Sequence, residues 1–90
     1  MFKKDPGIAG VVTDSLGNPI AGATIKVYDN NGMLLGITTT DQNGVYLYFY
    51  KYTGTKSVNF TIKVITPTGA TQTALVPMQS NKLVLQNFVF

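Results

Sequence analysis

Between residues 8 and 46 the chain reads Gly10-x-Val12-x-Asp14-x-x-Gly17-x-Pro19-Ile20-x-Gly22-Ala23-x-Ile25-x-Val27, and later Thr40-Asp41-Gln42-Asn43-Gly44-Val45-Tyr46. Glycine and asparagine tolerate positive φ, proline presets its own φ, and an aspartate side chain accepts hydrogen bonds from the backbone of its own turn. Each stands where the backbone must reverse, and β-branched residues alternate in the intervals. A chain punctuated in this way folds into short strands joined by tight turns, which predicts a small β-sandwich.

The remaining residues extend the pattern. No stretch has a helical period, and strand signals recur with turn chemistry between them. The expected strands are 8–13, 23–29, 34–40, 45–52, 58–66, 71–76 and 82–90. The clearest is 23–29, where Ala23, Ile25 and Val27 take one face and Thr24, Lys26 and Tyr28 the other. Asp29-Asn30-Asn31-Gly32 and Asp41-Gln42-Asn43-Gly44 read as hairpin turns, and Pro77 marks an edge or a break. The expected architecture is all-β: a seven-stranded antiparallel Greek-key β-sandwich, Ig-like or prealbumin-like. Residues 1–7 form an amino-terminal arm and residues 8–90 a single domain, without repeats or a linker.

Ninety residues are one domain's worth, and the hydrophobic fraction of 44% argues against disorder. The chain has no Cys, His, Trp, Arg or Glu, and its only charges are seven Lys and four Asp. Zinc sites, Cys or Ser–His nucleophiles and imidazole acid–base chemistry are thereby excluded, as is a disulfide framework. No catalytic residue and no cofactor is expected. The net charge of +3 comes from scattered lysines, not the clustered basic and aromatic residues of a nucleic-acid surface, so nucleic acid is not an expected partner. No segment approaches a membrane span, and the amino terminus lacks the apolar run of a signal peptide. Low charge with abundant Thr, Asn, Tyr and Gly fits an extracellular, cell-surface or virion-associated protein.

Asp14, Asp29 and Asp41 each open a turn, which raises calcium. A calcium loop gathers several carboxylates, commonly with a bidentate Glu. Here each turn carries one and no Glu exists, so each aspartate is expected to cap its own turn and no metal is expected. Asn59-Phe60-Thr61 has the form of a glycosylation sequon, with Asn59 turned to solvent by alternation.

The stretch from Gly10 to Val27, followed by Thr40 to Tyr46, resembles the carboxypeptidase regulatory-like domain, a transthyretin-like (prealbumin-like) β-sandwich. It is similar also to the B-type repeats of Gram-positive surface adhesins. The second half is similar more loosely, through Phe60-x-Ile62-x-Val64 and Thr66-Pro67-Thr68-Gly69. The resemblance implies a non-catalytic module: a spacer, stalk unit or assembly domain. Adhesin repeats often carry a Lys–Asn isopeptide bond assisted by a buried acid. The resemblance puts that lysine at Val12, the acid at Val64 and the asparagine at Asn87, so no such bond is expected. The hydrolase chemistry of transthyretin relatives needs His and Arg, which this chain lacks.

Two strands fail to alternate apolar with polar, as a strand with one wet face should. In 45–52, Tyr46, Tyr48, Tyr50 and Tyr52 share one face while Val45, Leu47, Phe49 and Lys51 share the other. The family pattern turns Tyr46 and Tyr48 inward and leaves Val45, Leu47 and Phe49 needing cover. In 82–90, Leu83, Leu85 and Val89 fit a core face, with Val84, Phe88 and Phe90 opposite. Either loops and the arm (Met1, Phe2) cover the second faces, or those faces make contacts. The candidate contact residues are Tyr46, Leu47, Tyr48, Phe49, Tyr50, Tyr52, Val84, Phe88 and Phe90. The expected function is structural: a module of a surface filament, adhesin stalk or virion that meets protein neighbours, self-association among them, through these strands. The alternative is a carbohydrate-binding module whose tyrosine row stacks on a polysaccharide.

Overall fold

The computed structural model describes residues 6–50, 58–79 and 82–90. Its eight strands are β1 (Gly7–Thr13), β2 (Thr24–Tyr28), β3 (Leu34–Thr39), β4 (Val45–Phe49), β5 (Val58–Ile65), β6 (Thr71–Met78), β7 (Leu83–Leu85) and β8 (Phe88–Val89).

Their turns share one design. In three of them an aspartate Oδ1 accepts two backbone amides, those two and four residues on. Leu16 and Asn18 donate to Asp14, Asn31 and Met33 to Asp29, and Asn43 and Val45 to Asp41, all at 2.8–3.0 Å. The fourth uses Thr66, whose Oγ1 accepts from the Ala70 amide at 3.1 Å. In every case the glycine three residues on donates to the carbonyl of the opening residue, at 2.9–3.1 Å. Gly17, Gly32, Gly44 and Gly69 all have φ between 74° and 93°, where only glycine sits without strain. The aspartates are thus bound to their own turns, as expected from the sequence.

Asp14 is partly exposed, and its carboxyl is held below its ordinary value of 3.8, chiefly by the Asn18 amide. A depressed folded-state value adds stability above 3.8 that is lost as the pH falls through the folded value. The urea midpoint is therefore expected to be flat towards acid and then to decline below about pH 4. The part of that decline due to Asp14 should be missing from Asp14→Asn.

The strands form two sheets, ordered β3-β2-β5-β6 and β4-β1-β7, with β8 alongside the far end of β1. The first is antiparallel throughout. The second is mixed: β4 runs antiparallel to β1, but β7 and β8 run parallel to it. The expected all-antiparallel arrangement is corrected here. The chain reaches β1 for the last time by crossing over from β6 in the other sheet, and a crossover connection can deliver a parallel neighbour where a hairpin cannot. Strand 82–90 is likewise two strands, so the count is eight instead of seven. Pro77 lies in β6, which among the described residues pairs only with β5 and is an edge, the place in a sheet where proline is tolerated.

Between the sheets lie Ile8, Val12, Ala23, Ile25, Val27, Tyr46, Phe60, Ile62, Val64, Val76, Met78 and Phe88. Thr40, also buried, joins the two halves of the 8–46 motif: its hydroxyl donates to the Ile20 carbonyl at 2.6 Å and accepts from the Ala23 amide at 2.9 Å. Val12 and Val64 are wholly buried, whereas Asn87 is exposed and its Oδ1 accepts from the Val11 amide at 2.9 Å.

Candidate functional site

The register of β4 decides which side chains can meet a partner. β1 pairs with it as Ile8 opposite Tyr48 and Gly10 opposite Tyr46, which turns the tyrosines towards the core. Tyr46 is 1% exposed, its ring 6.4 Å from that of Phe88, and its hydroxyl donates to the Gln86 carbonyl at 2.5 Å. Tyr48 and Tyr50 are half-buried against the core, and Tyr50 meets Phe60 edge-on at 5.5 Å. Tyr52 lies outside the described residues. Burial pushes the Tyr46 and Tyr48 hydroxyls to higher pKa, Tyr48 with a smaller push from neighbouring Tyr50. The described members of the row, Tyr46, Tyr48 and Tyr50, turn towards the core and do not form a solvent-facing platform: desolvating these rings is part of building the core.

The other face of β4 points out. Leu47 and Phe49 are 49% and 57% exposed, with Val45 beside them. On the other flank of β1 the sequence expectation is reversed. Ile8 pairs with Val84 and Val12 with Phe88, so Phe88 is buried at 3%, and Val84 and Phe90 pack partly against the core. Leu83, Leu85 and Val89, expected inside, are exposed instead. Both parities of 82–90 are apolar, so alternation cannot choose between them; pairing with β1 does.

The outward residues form a lattice. Across β4, β1 and β7 run the rows Phe49–Gly7–Leu83 and Leu47–Ala9–Leu85, then Val45–Val11, and Thr13–Val89 at the β8 end. Phe49 and Leu83 lean together over Gly7, whose missing Cβ would lie 2.7 Å from the Phe49 ring and 3.0 Å from Leu83. From Gly7 to Val11 and across both neighbours the rows are apolar up to Val11, where the exposed Asn87, its Oδ1 on the Val11 amide, separates Leu85 from Val89. The outer face of the other sheet is mixed: Lys26 lies opposite Lys63, among Thr24, Thr39, Thr61 and Thr73, with Ile37, Ile65 and Leu75 between them. Sequence reasoning missed Ala9, Val11, Leu83, Leu85 and Val89. The available signal was 7–12 itself, a stretch with no polar residue on either face.

One groove, of about 400 Å³, opens between Asp14, Pro19, Ile20, Thr66, Pro67 and Phe90. Its only charged group, Asp14, is committed to its turn, with Asn18 Nδ2 also donating to Oδ2 at 3.2 Å. Among the described residues no cluster of three acidic, His or Cys side chains could hold a metal.

Comparison with solved structures shows the same fold at low identity. The dioxygenase domain of a dioxygenase carbohydrate-binding protein fusion from Streptomyces sp. SirexAA-E superposes with a TM-score of 0.68 at 12% identity, over 97% of this chain and 80% of that one. Chlorocatechol 1,2-dioxygenase from Pseudomonas putida gives 0.68 at 16%, over 97% and 60%. The 5-hydroxyisourate hydrolase of Klebsiella pneumoniae, a transthyretin-like protein, gives 0.63 at 13%, over 93% and 88%. In sequence, 54 residues (60% of this chain) are 39% identical to the serine-aspartate repeat-containing protein F of Staphylococcus epidermidis, of whose length the match covers 3%. Residues 3–83 match the SdrD B-like domain, and the chain belongs to that family.

Proposed function

We propose that this domain is a non-catalytic structural module of a cell-surface protein, of the stalk type, and that it meets neighbouring protein through the outer face of the β4–β1–β7 sheet. The observation that carries the proposal is the contiguous apolar lattice of Phe49, Leu47, Val45, Ala9, Leu83 and Leu85 on that face, where the opposite sheet face mixes apolar residues with lysine and threonine. The family supports the setting, since its relative is a serine-aspartate repeat protein many times longer than the domain. Among the settings the composition allows, this favours a cell surface over a virion. Residue chemistry supports the absence of catalysis: the described aspartates serve as turn caps, and no imidazole, thiol or guanidinium exists to work beside them.

The test is the binding of an apolar-surface dye to the dilute chain. The wild type should bind it and Leu47→Ser/Leu85→Ser should lose most of the signal. A dilute, monomeric wild type that leaves the dye unbound would contradict the proposal, because its own chain would then cover the face.

A further inference from the structure

The lattice has relief as well as polarity. Its central column along β1 is small at Gly7 and Ala9, and larger side chains flank it there: Phe49 and Leu47 on β4, Leu83 and Leu85 on β7. Neighbouring strands lie ~4.8 Å apart, so the two flanking strands stand roughly 10 Å from each other; Phe49 and Leu83 close over Gly7, and a shallow trough opens at Ala9. Stacked sheets also pack about 10 Å apart with their side chains interdigitated. Such relief is complementary to itself: displaced by one strand, the Leu85 side chain of one copy enters the trough at Ala9 of another, and the reverse contact follows by two-fold symmetry.

We infer that the partner of this face is a second copy of the same chain, packed sheet on sheet through β4, β1 and β7. The inference rests on the contact role proposed above and names its occupant. Charge agrees among the described residues, because no described side chain on the lattice is charged and none of them would repel its own copy or select an oppositely charged partner. The area agrees too. Val45, Leu47, Phe49, Leu83, Leu85 and Val89 are between 41% and 73% exposed and together present on the order of 600 Å² of apolar side chain, the upper end for a monomer. Two such faces, fully covered, remove at most about 1,200 Å² from water, the lower end of specific interfaces. A membrane surface fits less well, since Lys26 and Lys63, which would favour anionic headgroups, lie on the opposite sheet.

The experiment measures solution mass against concentration for the wild type, Leu85→Lys and Leu75→Lys. Leu75 is the matched control: it is 70% exposed against 73% for Leu85, but lies on β6 in the other sheet. The wild type should run at twice the chain mass, Leu75→Lys should do the same, and Leu85→Lys should dissociate at least tenfold more readily. Should Leu85→Lys fail to fold, Leu47→Ser replaces it with the same expectation. A wild type that stays monomeric, or equal weakening by Leu75→Lys and Leu85→Lys, overturns the inference. The dye then separates the two claims. A monomer that binds it has an open face meant for another protein, and the contact role stands without self-pairing. A monomer that excludes it ends both.

Discussion

Gly10→Ala is expected to destabilise the domain by ~3 kcal/mol or more, out of a total of roughly 5–15 kcal/mol, and to lower the melting temperature by about 15 °C. Gly10 sits on the inner face of β1 between Ile8 and Val12, where the chain linking β7 to β8 passes across it. An added Cβ would lie 1.9 Å from the Gln86 carbonyl oxygen and 2.9 Å from the Tyr46 ring. The first obstacle is main chain, which cannot rotate aside as a side chain can. Moving it disturbs the Gln86 amide bond to the Ala9 carbonyl, the Tyr46 hydroxyl bond to Gln86 and the Asn87 contact with Val11. Gly69→Ala is the comparison: there φ is +93° and nothing lies within 4 Å, so only backbone strain is felt, ~1 kcal/mol. Thermal or urea unfolding of the two variants checks the expectation. If Gly10→Ala melted like the wild type, the β7–β8 segment would not pack against β1 as described.

Tyr46 carries the second large effect. It is the largest of the fully buried side chains. Tyr46→Ala should cost about 3–5 kcal/mol through lost burial and the cavity left behind. Tyr46→Phe keeps the ring and removes only the hydroxyl bond to Gln86, for ~1 kcal/mol near neutral pH. The two variants also separate in alkali. Burial raises the Tyr46 pKa above its ordinary 10.0, so the neutral phenol stabilises the fold below pH 10 and that contribution is lost as the pH rises towards the folded value. Wild-type stability should fall above about pH 10 and that of Tyr46→Phe should fall less. Equal alkaline slopes in urea titrations would show that Tyr46 is not the buried phenol responsible.

Local chemistry made much of this fold legible in the sequence. The turns at Asp14, Asp29 and Asp41 are written in residues that hydrogen-bond within five positions, and β2 shows its wet and dry faces by alternation alone. What stayed hidden depends on partners distant in sequence. The 82–90 strand is apolar at both parities, so only its pairing with Ile8 and Val12 fixes Phe88 inside and Leu85 outside. Its parallel direction follows from a crossover between sheets that no local pattern announces. Its break falls at Gln86-Asn87, the polar pair in an apolar run, where the main chain occupies the space left by Gly10. The proposed contact face is half legible in the sequence. Leu47 and Phe49 were expected to need cover, but the β7 and β8 residues that complete the lattice were assigned to the wrong side.

The central claim is that β4 and β7 each spend one face on the fold and hold the other for contact. Equilibrium unfolding of Leu47→Ser/Leu85→Ser tests it most directly, at a concentration low enough that no copy pairs with another. Both side chains being outward, the double variant should unfold within about 1 kcal/mol of the wild type. A loss of several kcal/mol, as core truncation gives, would show that the face belongs to the core and contradict the account.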